Sequence, residues 1–212
     1  MERDYYVFTL ADENAIDLLV DSRKYKAASA EALVAKWRCI ATDFGCSYPV
    51  AALVRGGFTL QNHAPKFGPC YKKLSYFKEW KLHNSEPTKN SIVFWIPRLV
   101  EDSTCRTPFQ MKLRRTELGQ RYGLPEHHCH GFGSIALLFA LILSHFKRAN
   151  ELVPGRLIYA VSDTIMVGGH RLIAGYYRDA VSQKDELRCA YWDGAPYKHI
   201  GFFPIGVEEL DK

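Results

Sequence analysis

A run of nine consecutive apolar residues, Ile135–Leu143, constrains the fold of this 212-residue chain more than any other feature. The run lies within a segment, Gly133–Asn150, that is apolar nearly all the way around a helix axis, and a helix of that kind is buried in a domain core. A bilayer-spanning helix needs about 20 apolar residues. We therefore predict a buried core helix and no association with a membrane.

Four strand-like segments, separated by short turns that contain glycine, follow this helix. They are Leu157–Met166, His170–Tyr177, Leu187–Asp193 and Ile200–Ile205. Short connections of this kind predict an antiparallel meander. The predicted fold class is therefore α+β, with the long helix packed on a four-stranded antiparallel sheet.

The first part of the chain is less regular. It predicts a short strand at Tyr5–Leu10, helices at Asp12–Val20, Ser29–Phe44 and Phe109–Tyr122, with Ser29 as the N-cap of the second, and an apolar strand at Ile92–Ile96. Residues 56–90 are rich in glycine and proline, so we expect mostly loop there. The length predicts a single domain, 1–212, in which a mixed helical and loop part (1–125) elaborates a core (126–212).

Composition narrows the function classes. A net charge of +5 and 47% hydrophobic residues exclude a disordered chain, and the charge permits an acidic partner without requiring one. Bases and aromatic residues alternate over Tyr71–Lys81, which is compatible with nucleic-acid contacts, although an amphipathic surface segment is the favoured interpretation. Six cysteines without a C-x-x-C pair and a start without a signal peptide predict a cytoplasmic protein with free thiols.

The densest group of reactive side chains, residues 126–130, comes just before the buried helix. Its members are Glu126, His127, His128, Cys129 and His130. One interpretation is a structural loop. Another is a metal site, but neighbouring residues point in different directions, so two of them would need further ligands such as Asp163 or His170. A third makes Cys129 a nucleophile, because a cysteine at a helix N-terminus is favoured as thiolate.

A histidine and a carboxylate are expected beside each other in the hairpin that follows. Its loop, Arg178–Glu186, is centred near residue 182, so the numbers of paired residues should sum to about 363. That register places the charged residues of both strands on one face. The other face is apolar except at its end, where His170 meets Asp193, and the buried helix is its natural cover.

This order of elements resembles the papain-like cysteine peptidase superfamily. Residues 128–137 (HCHGFGSIAL) look like a cysteine-led helix, residues 168–176 (GGHRLIAGY) look like the histidine strand, and Asp193 falls where the orienting residue would be. The resemblance covers residues 126–206. It implies a thiol-dependent amide hydrolase, acyltransferase or deamidase that acts on a peptide or protein without a cofactor. Cys129 would be the nucleophile, His170 the base and Asp193 the residue that orients it.

Other interpretations stay open. The same fold could serve as a non-catalytic domain that binds protein or nucleic acid, or as a histidine- and cysteine-dependent metal-binding protein. Cys46, ahead of a short helix predicted from Pro49, is the reserve nucleophile. Asp163 on the preceding strand is the replacement for Asp193.

Overall fold

The computed structural model describes residues 6–46, 49–71, 86–166, 168–180 and 182–210. Within these residues the chain is α+β, with two four-stranded sheets. The helices are α1 (Asp12–Asp21), α2 (Ala27–Asp43), α3 (Ala64–Phe67), α4 (Pro108–Arg121) and α5 (Ile135–Ala149). None of the described helices is long and apolar enough to cross a membrane.

The first sheet is antiparallel and joins both ends of the chain. Its strands, in spatial order, are β1 (Val7–Leu10), β2 (Ala51–Val54), β3 (Ser91–Trp95) and β8 (Ile205–Glu209). Strand β3 is buried along its whole length because the sheet is covered on both faces. Ile92 and Phe94 pack with α1 and α2, whereas Val93 and Trp95 pack with α5.

The second sheet lies on the other side of α5. Its spatial order is β6 (Asp185–Trp192), β5 (Arg171–Arg178), β4 (Tyr159–Ile165) and β7 (Ile200–Gly201). The apolar side chains of α5 pack on β5 and β6 as the sequence predicts, so the long buried helix is confirmed. Helix α4 packs against the opposite face of this sheet.

The hairpin register agrees with the prediction. Arg171 pairs with Trp192 and Leu172 with Tyr191, and each pair sums to 363. The predicted apolar face, which includes Leu172 and Cys189, is the one that packs with α5.

The prediction of a purely antiparallel four-stranded sheet is wrong at its last strand. The segment Ile200–Ile205 is divided between two sheets: β7 runs parallel to β4, and β8 crosses to pair with β3. The division has a packing cause, because Phe202 joins the cluster under α4 whereas Phe203 joins the cluster around α5. Through β8, residues 126–212 share a sheet with the first part of the chain.

Two further predictions in the first part are wrong. Helix α2 has Lys26 rather than Ser29 at its N-cap position, because Ala27 and Ala28 extend it by another turn of good helix formers. The helix predicted from Pro49 is strand β2, which pairs on both sides, so Cys46 does not precede a helix. Most of the segment Tyr71–Lys81 lies outside the described residues.

Candidate active site

Cys129 is not at the N-terminus of a helix, contrary to the prediction. Helix α5 begins at Ile135, and the Ser134 hydroxyl accepts its capping hydrogen bond from Leu137. Two glycines with positive φ, Gly131 (85°) and Gly133 (77°), turn the chain between Cys129 and the helix. The free N–H groups of α5 are therefore capped without the thiol.

The Cys129 side chain is buried against α4. It is 6% exposed, and its thiol donates toward the carbonyl oxygens of Pro125 (3.4 Å) and Leu124 (3.7 Å). A Cβ at Gly119 would lie only 2.2 Å from the Cys129 sulfur, so α4 is in close contact with it. The sulfur therefore faces backbone carbonyl oxygens and the closely packed surface of α4, which is a structural environment for a cysteine.

His170 and Asp193 lie just beyond the ends of β5 and β6, at the rim predicted for them. The Asp193 carboxylate accepts hydrogen bonds from the Ala195 N–H (3.0 Å) and the Tyr197 hydroxyl (3.1 Å). The Ala195 bond lowers the pKa of Asp193, and the nearby His170 adds to this. The His170 ring lies against Tyr191, with ring centroids 5.7 Å apart.

The structure does not bring Cys129 together with this pair. In the described part of the chain, no hydrogen bond, ring contact or charge interaction joins Cys129 to His170 or Asp193.

Among the described residues, Asp163 and His130 are not part of the group of side chains close enough together to share a metal ion. Asp163 Oδ2 accepts from the backbone N–H groups of Phe132 (2.5 Å) and Gly133 (3.0 Å), and Oδ1 faces Arg171. Asp163 therefore holds the loop before α5. His130 is exposed and lies 4.0 Å from Glu126.

His127 and His128 converge on a residue that the sequence did not single out, Glu208 of β8. One carboxylate oxygen, Oε1, lies 2.6 Å from His127 Nε2, 2.9 Å from His128 Nε2 and 2.5 Å from the Tyr25 hydroxyl. Glu208 is 6% exposed, His128 is fully buried, and His127 is 53% exposed. We call these four residues the Glu208 cluster.

The backbone around the Glu208 cluster is held by a buried arginine. His127 and His128 lie on a single 3₁₀ turn, and Nη2 of Arg115 donates to the carbonyl oxygens of His128 and Ile205. One guanidinium thus ties that turn to the start of β8. Burial lowers the pKa of Arg115 to about 10, which leaves it charged near neutral pH.

A glycine on β8 allows the aromatic rings to approach the strand. A Cβ at Gly206 would lie 2.6 Å from the Trp37 ring and 2.7 Å from the His128 ring. Any larger residue would push these rings away from β8 and so from Glu208.

The buried carboxylate is ionised. Burial by itself would raise the pKa of Glu208, but the contacts from His128, Tyr25 and His127 outweigh it and lower the pKa to about 2. Burial lowers the pKa of His128, which is therefore neutral near pH 7. Burial and the bond to Glu208 raise the pKa of the Tyr25 hydroxyl, which keeps its proton.

The indole of Trp37 fixes the tautomer of His128. Trp37 Nε1 can only donate, and it lies 3.2 Å from His128 Nδ1, so Nδ1 accepts and the proton of the neutral ring is on Nε2. Nε2 is close to Glu208 Oε1, but its N–H is not aligned with that oxygen, so the contact is a charge–dipole contact rather than a well-formed hydrogen bond.

The same tautomer makes the cluster a poor fit for a metal ion. One ligand atom from each of His127, His128 and Glu208 lies within 4.8 Å of the others, which is compact enough for a divalent cation. Ligation through His128 Nε2 would require the proton to move to Nδ1, where it would face the Trp37 N–H. Two donors would then oppose each other in the core.

The His127 side chain is half exposed, and its contact with Glu208 uses Nε2 and not Nδ1. Because ionised Glu208 can only accept, neutral His127 carries its proton on Nε2 and has a lone pair on Nδ1. The residue lies at the edge of a cleft of about 270 Å³ that is also lined by Ser91, Ser134 and Asp163. A histidine held by a carboxylate beside a cleft is equipped to accept and return a proton.

Sequence reasoning identified the two histidines and missed Glu208, Tyr25 and Trp37. A signal for Glu208 exists in β8, where Gly206 and Glu208 are buried and Glu209 is exposed. A carboxylate at an inward position of a strand requires a partner.

No family model, curated protein or solved structure matches this chain.

Proposed function

We propose that this protein is a hydrolase in which His127 is the general base. One observation carries the proposal: a surface histidine has its Nε2 2.6 Å from a buried, ionised carboxylate and lies at the edge of a cleft. Close partners lower the pKa of Glu208 despite its burial, and groups with shifted pKa values concentrate at functional sites.

In the proposed reaction His127 Nδ1 takes a proton from a water molecule in the cleft. The resulting hydroxide attacks the electrophilic carbon or phosphorus of an ester, amide or phosphoester. The His127 imidazolium, stabilised by Glu208, then returns the proton to the leaving group, so that one water is consumed for each bond cleaved.

The other members of the Glu208 cluster, and Trp37 beside it, have positioning roles in this proposal. Tyr25 and His128 keep Glu208 ionised and fixed, and Trp37 keeps His128 in the tautomer that points its N–H toward the carboxylate side. A base oriented by a second group is the arrangement that proton-transfer catalysis requires.

A thiol-dependent reaction at Cys129 has less support from the geometry. Its sulfur is buried and faces carbonyl oxygens, and the predicted base and orienting residue contact Tyr191 and Tyr197 instead. The structural environment of His127 supports the hydrolase proposal without that thiol.

The test is hydrolysis of p-nitrophenyl acetate, p-nitrophenyl butyrate and bis(p-nitrophenyl) phosphate by wild type and His127→Asn. Loss of a general base lowers rates by about 10²–10⁴-fold, so the variant should fall by at least about 100-fold on the substrate that wild type hydrolyses best. The matched control is His199→Asn, which removes an imidazole stacked on Tyr197 in the turn before β7 and should keep the wild-type rate.

Three outcomes would count against the proposal. Rates no higher than buffer across the panel argue against a hydrolase. Equal rates for wild type and His127→Asn remove His127 from the chemistry. Activity that is lost in EDTA and restored by zinc assigns the Glu208 cluster to metal chemistry, despite the Trp37 hydrogen bond.

A further inference from the structure

Strand β8 lies at an edge of the first sheet. Its neighbour on one side is β3, and none of the described strands pairs with its other side. Along an antiparallel strand, every second residue turns its N–H and C=O groups toward the neighbouring strand, and the residues between turn theirs away. The bond from the Leu210 N–H to the Asn90 carbonyl (2.8 Å) sets this alternation. The backbone groups of Ile205, Val207 and Glu209 therefore face outward.

Side chains cover the carbonyl groups at the two ends of this outer edge. The Arg115 guanidinium donates to the Ile205 carbonyl, and Lys24 Nζ donates to the Glu209 carbonyl (2.5 Å). Val207 lies between them, and no hydrogen bond among the described residues uses its N–H or C=O group. The middle of β8 thus presents one donor and one acceptor on a single residue.

This edge opens on a cleft of about 490 Å³, which is lined in part by Lys24, Tyr25, His127 and Val207. Such a volume is within the range of ligand sites. His127 and Val207 also line the cleft of about 270 Å³ described above, so the two clefts meet beside the proposed base. At the opposite edge of the sheet, β1 borders clefts of only about 20 Å³ each.

We propose that an extended peptide binds along β8 as an additional strand and is the substrate of the hydrolase proposed above, on which this inference rests for its chemistry. A peptide residue opposite Val207 would accept from its N–H and donate to its C=O, which is how an added strand binds a sheet edge. Water then adds to the carbonyl carbon of a peptide bond beside His127, the C–N bond breaks, and His127 returns the proton to the released amine.

Charges of both signs lie beside the edge. Lys89 pairs with the Glu209 carboxylate at 2.8 Å, and in the smaller cleft Asp163 faces Arg171 at 3.4 Å. We therefore expect the main chain of the peptide, rather than its net charge, to be recognised.

The first test follows amide exchange by NMR, with the full chain and acetyl-Thr-Val-Thr-Val-Thr amide, an uncharged peptide of high strand propensity. Without peptide, the Val207 amide should exchange at least about tenfold faster than the Glu208 amide, which faces β3. Saturating peptide should slow exchange at Val207 at least about tenfold and leave Glu208 unchanged. The same peptide N-methylated at every residue should not bind, whereas one methylated at alternate residues keeps one complete edge and should bind.

A pair of variants tests the same bond from the protein side. Val207→Pro removes the outward N–H and no bond to β3, at the kind of edge position where a strand accepts proline. It should weaken peptide binding at least about tenfold, whereas Val207→Thr keeps the N–H and should bind within about twofold of wild type. If circular dichroism shows that Val207→Pro does not fold, the methylated peptides with wild type decide.

The strand pairing is overturned if the peptide does not slow exchange at Val207, or if the fully methylated peptide binds equally well. Protection of Val207 that rises with protein concentration in the absence of peptide would assign the edge to a second copy of this chain instead.

Cleavage of the bound peptide, measured by mass spectrometry, separates this inference from the proposed function. If the peptide binds and neither it nor any ester is hydrolysed, the hydrolase fails and the strand pairing stands. If esters are hydrolysed through His127 and the peptide does not bind, the hydrolase stands and the strand pairing fails. A peptide that binds but stays intact while esters are hydrolysed overturns the peptide as substrate.

Discussion

Glu208 keeps its negative charge in the interior because three side chains face a single carboxylate oxygen. Its pKa falls from 4.5 in the unfolded chain to about 2 in the fold. The stability that this provides is fully present above pH 4.5 and is lost as the pH falls toward 2. Burial lowers the pKa of His128 below its ordinary value of 6.5. Below pH 6.5 the unfolded chain therefore binds a proton at His128 more readily than the folded protein does, and the folded protein loses stability. Both groups make the protein less stable in acid.

Tyr25→Phe tests the role of the cluster in stability. Removing a hydroxyl that donates to a buried carboxylate should lower the free energy of unfolding at pH 7 by about 1.5–3 kcal/mol. The folded pKa of Glu208 should rise toward 4.5. The difference between variant and wild type should therefore shrink as Glu208 becomes protonated below pH 3, as measured by urea unfolding at several pH values.

Tyr122→Phe is the matched control for that measurement. The Tyr122 hydroxyl also donates to a carboxylate at 2.5 Å, but its partner, Asp43, is half exposed. Its loss should cost less than about 1 kcal/mol because water replaces the bond. Equal costs for the two variants, or a Tyr25→Phe cost that does not change with pH, would contradict the account of Glu208.

Single residues were the least predictable part of this protein. The sequence marks His127 and His128 as reactive, but their partner Glu208 follows about 80 residues later. It lies in a strand whose neighbour, β3, comes more than a hundred residues before it. The predicted register of the hairpin is confirmed from Arg171 and Trp192 onward, because a hairpin is a local structure. What Cys129 contacts depends on two glycines that turn the chain before α5, and periodicity does not reveal such turns.

At the scale of elements, α4 packs so closely on the segment before α5 that a substitution which usually stabilises a helix should destabilise this protein. Alanine in place of a glycine within a helix usually stabilises by about 0.5–1 kcal/mol. Gly119→Ala should instead destabilise by about 1–3 kcal/mol, because the added Cβ would lie 2.2 Å from the Cys129 sulfur. Thermal unfolding measures the effect.

A double variant shows whether the cause is the contact with Cys129. Cys129→Gly removes the crowded side chain and should recover part of the loss caused by Gly119→Ala, so the two changes should be non-additive. A Gly119→Ala protein that melts at or above the wild-type temperature would show that α4 can move away from Cys129.

Elements themselves were predictable where the pattern is local. The bounds of α1, α4 and α5 and the hairpin of β5 and β6 agree with the sequence to within about two residues. The predicted start of α2 was wrong, because Ser29 is a suitable N-cap residue but lies inside a helix that Ala27 and Ala28 extend. Strand β2 was taken for a helix because its partners, β1 and β3, are not visible in a short apolar run.

For the whole molecule, β8 is the strand that joins the two parts of the chain. A chain that ends at Pro204 loses β8 and Glu208 and leaves β3 without one of its two neighbours. We expect this truncation to be unfolded or aggregated, as judged by circular dichroism and size-exclusion chromatography, because an unpaired apolar strand edge associates with other chains. A chain that ends at Leu210 keeps every β8 pair and should melt near the wild-type temperature.

A Pro204 truncation that remains folded and monomeric would contradict this role for β8.

The first sheet as a whole was not predicted. Its strands are short, lie far apart in sequence and are paired across more than a hundred residues in the case of β3 and β8. Hydrophobic periodicity identifies such strands singly and says little about which ones pair.

The position of β8 also sets an order for biosynthesis. During translation β1, β2 and β3 leave the ribosome long before residues 205–209, so the buried edge of β3 has no partner until the last strand of the sheet is made. Exposed edges on nascent chains are where chaperones act and where aggregation begins. The pairing of β8 with β3, which places Glu208 beside His127, therefore forms late. A nascent chain that does not yet include β8 has neither the fourth strand of the sheet nor a complete Glu208 cluster.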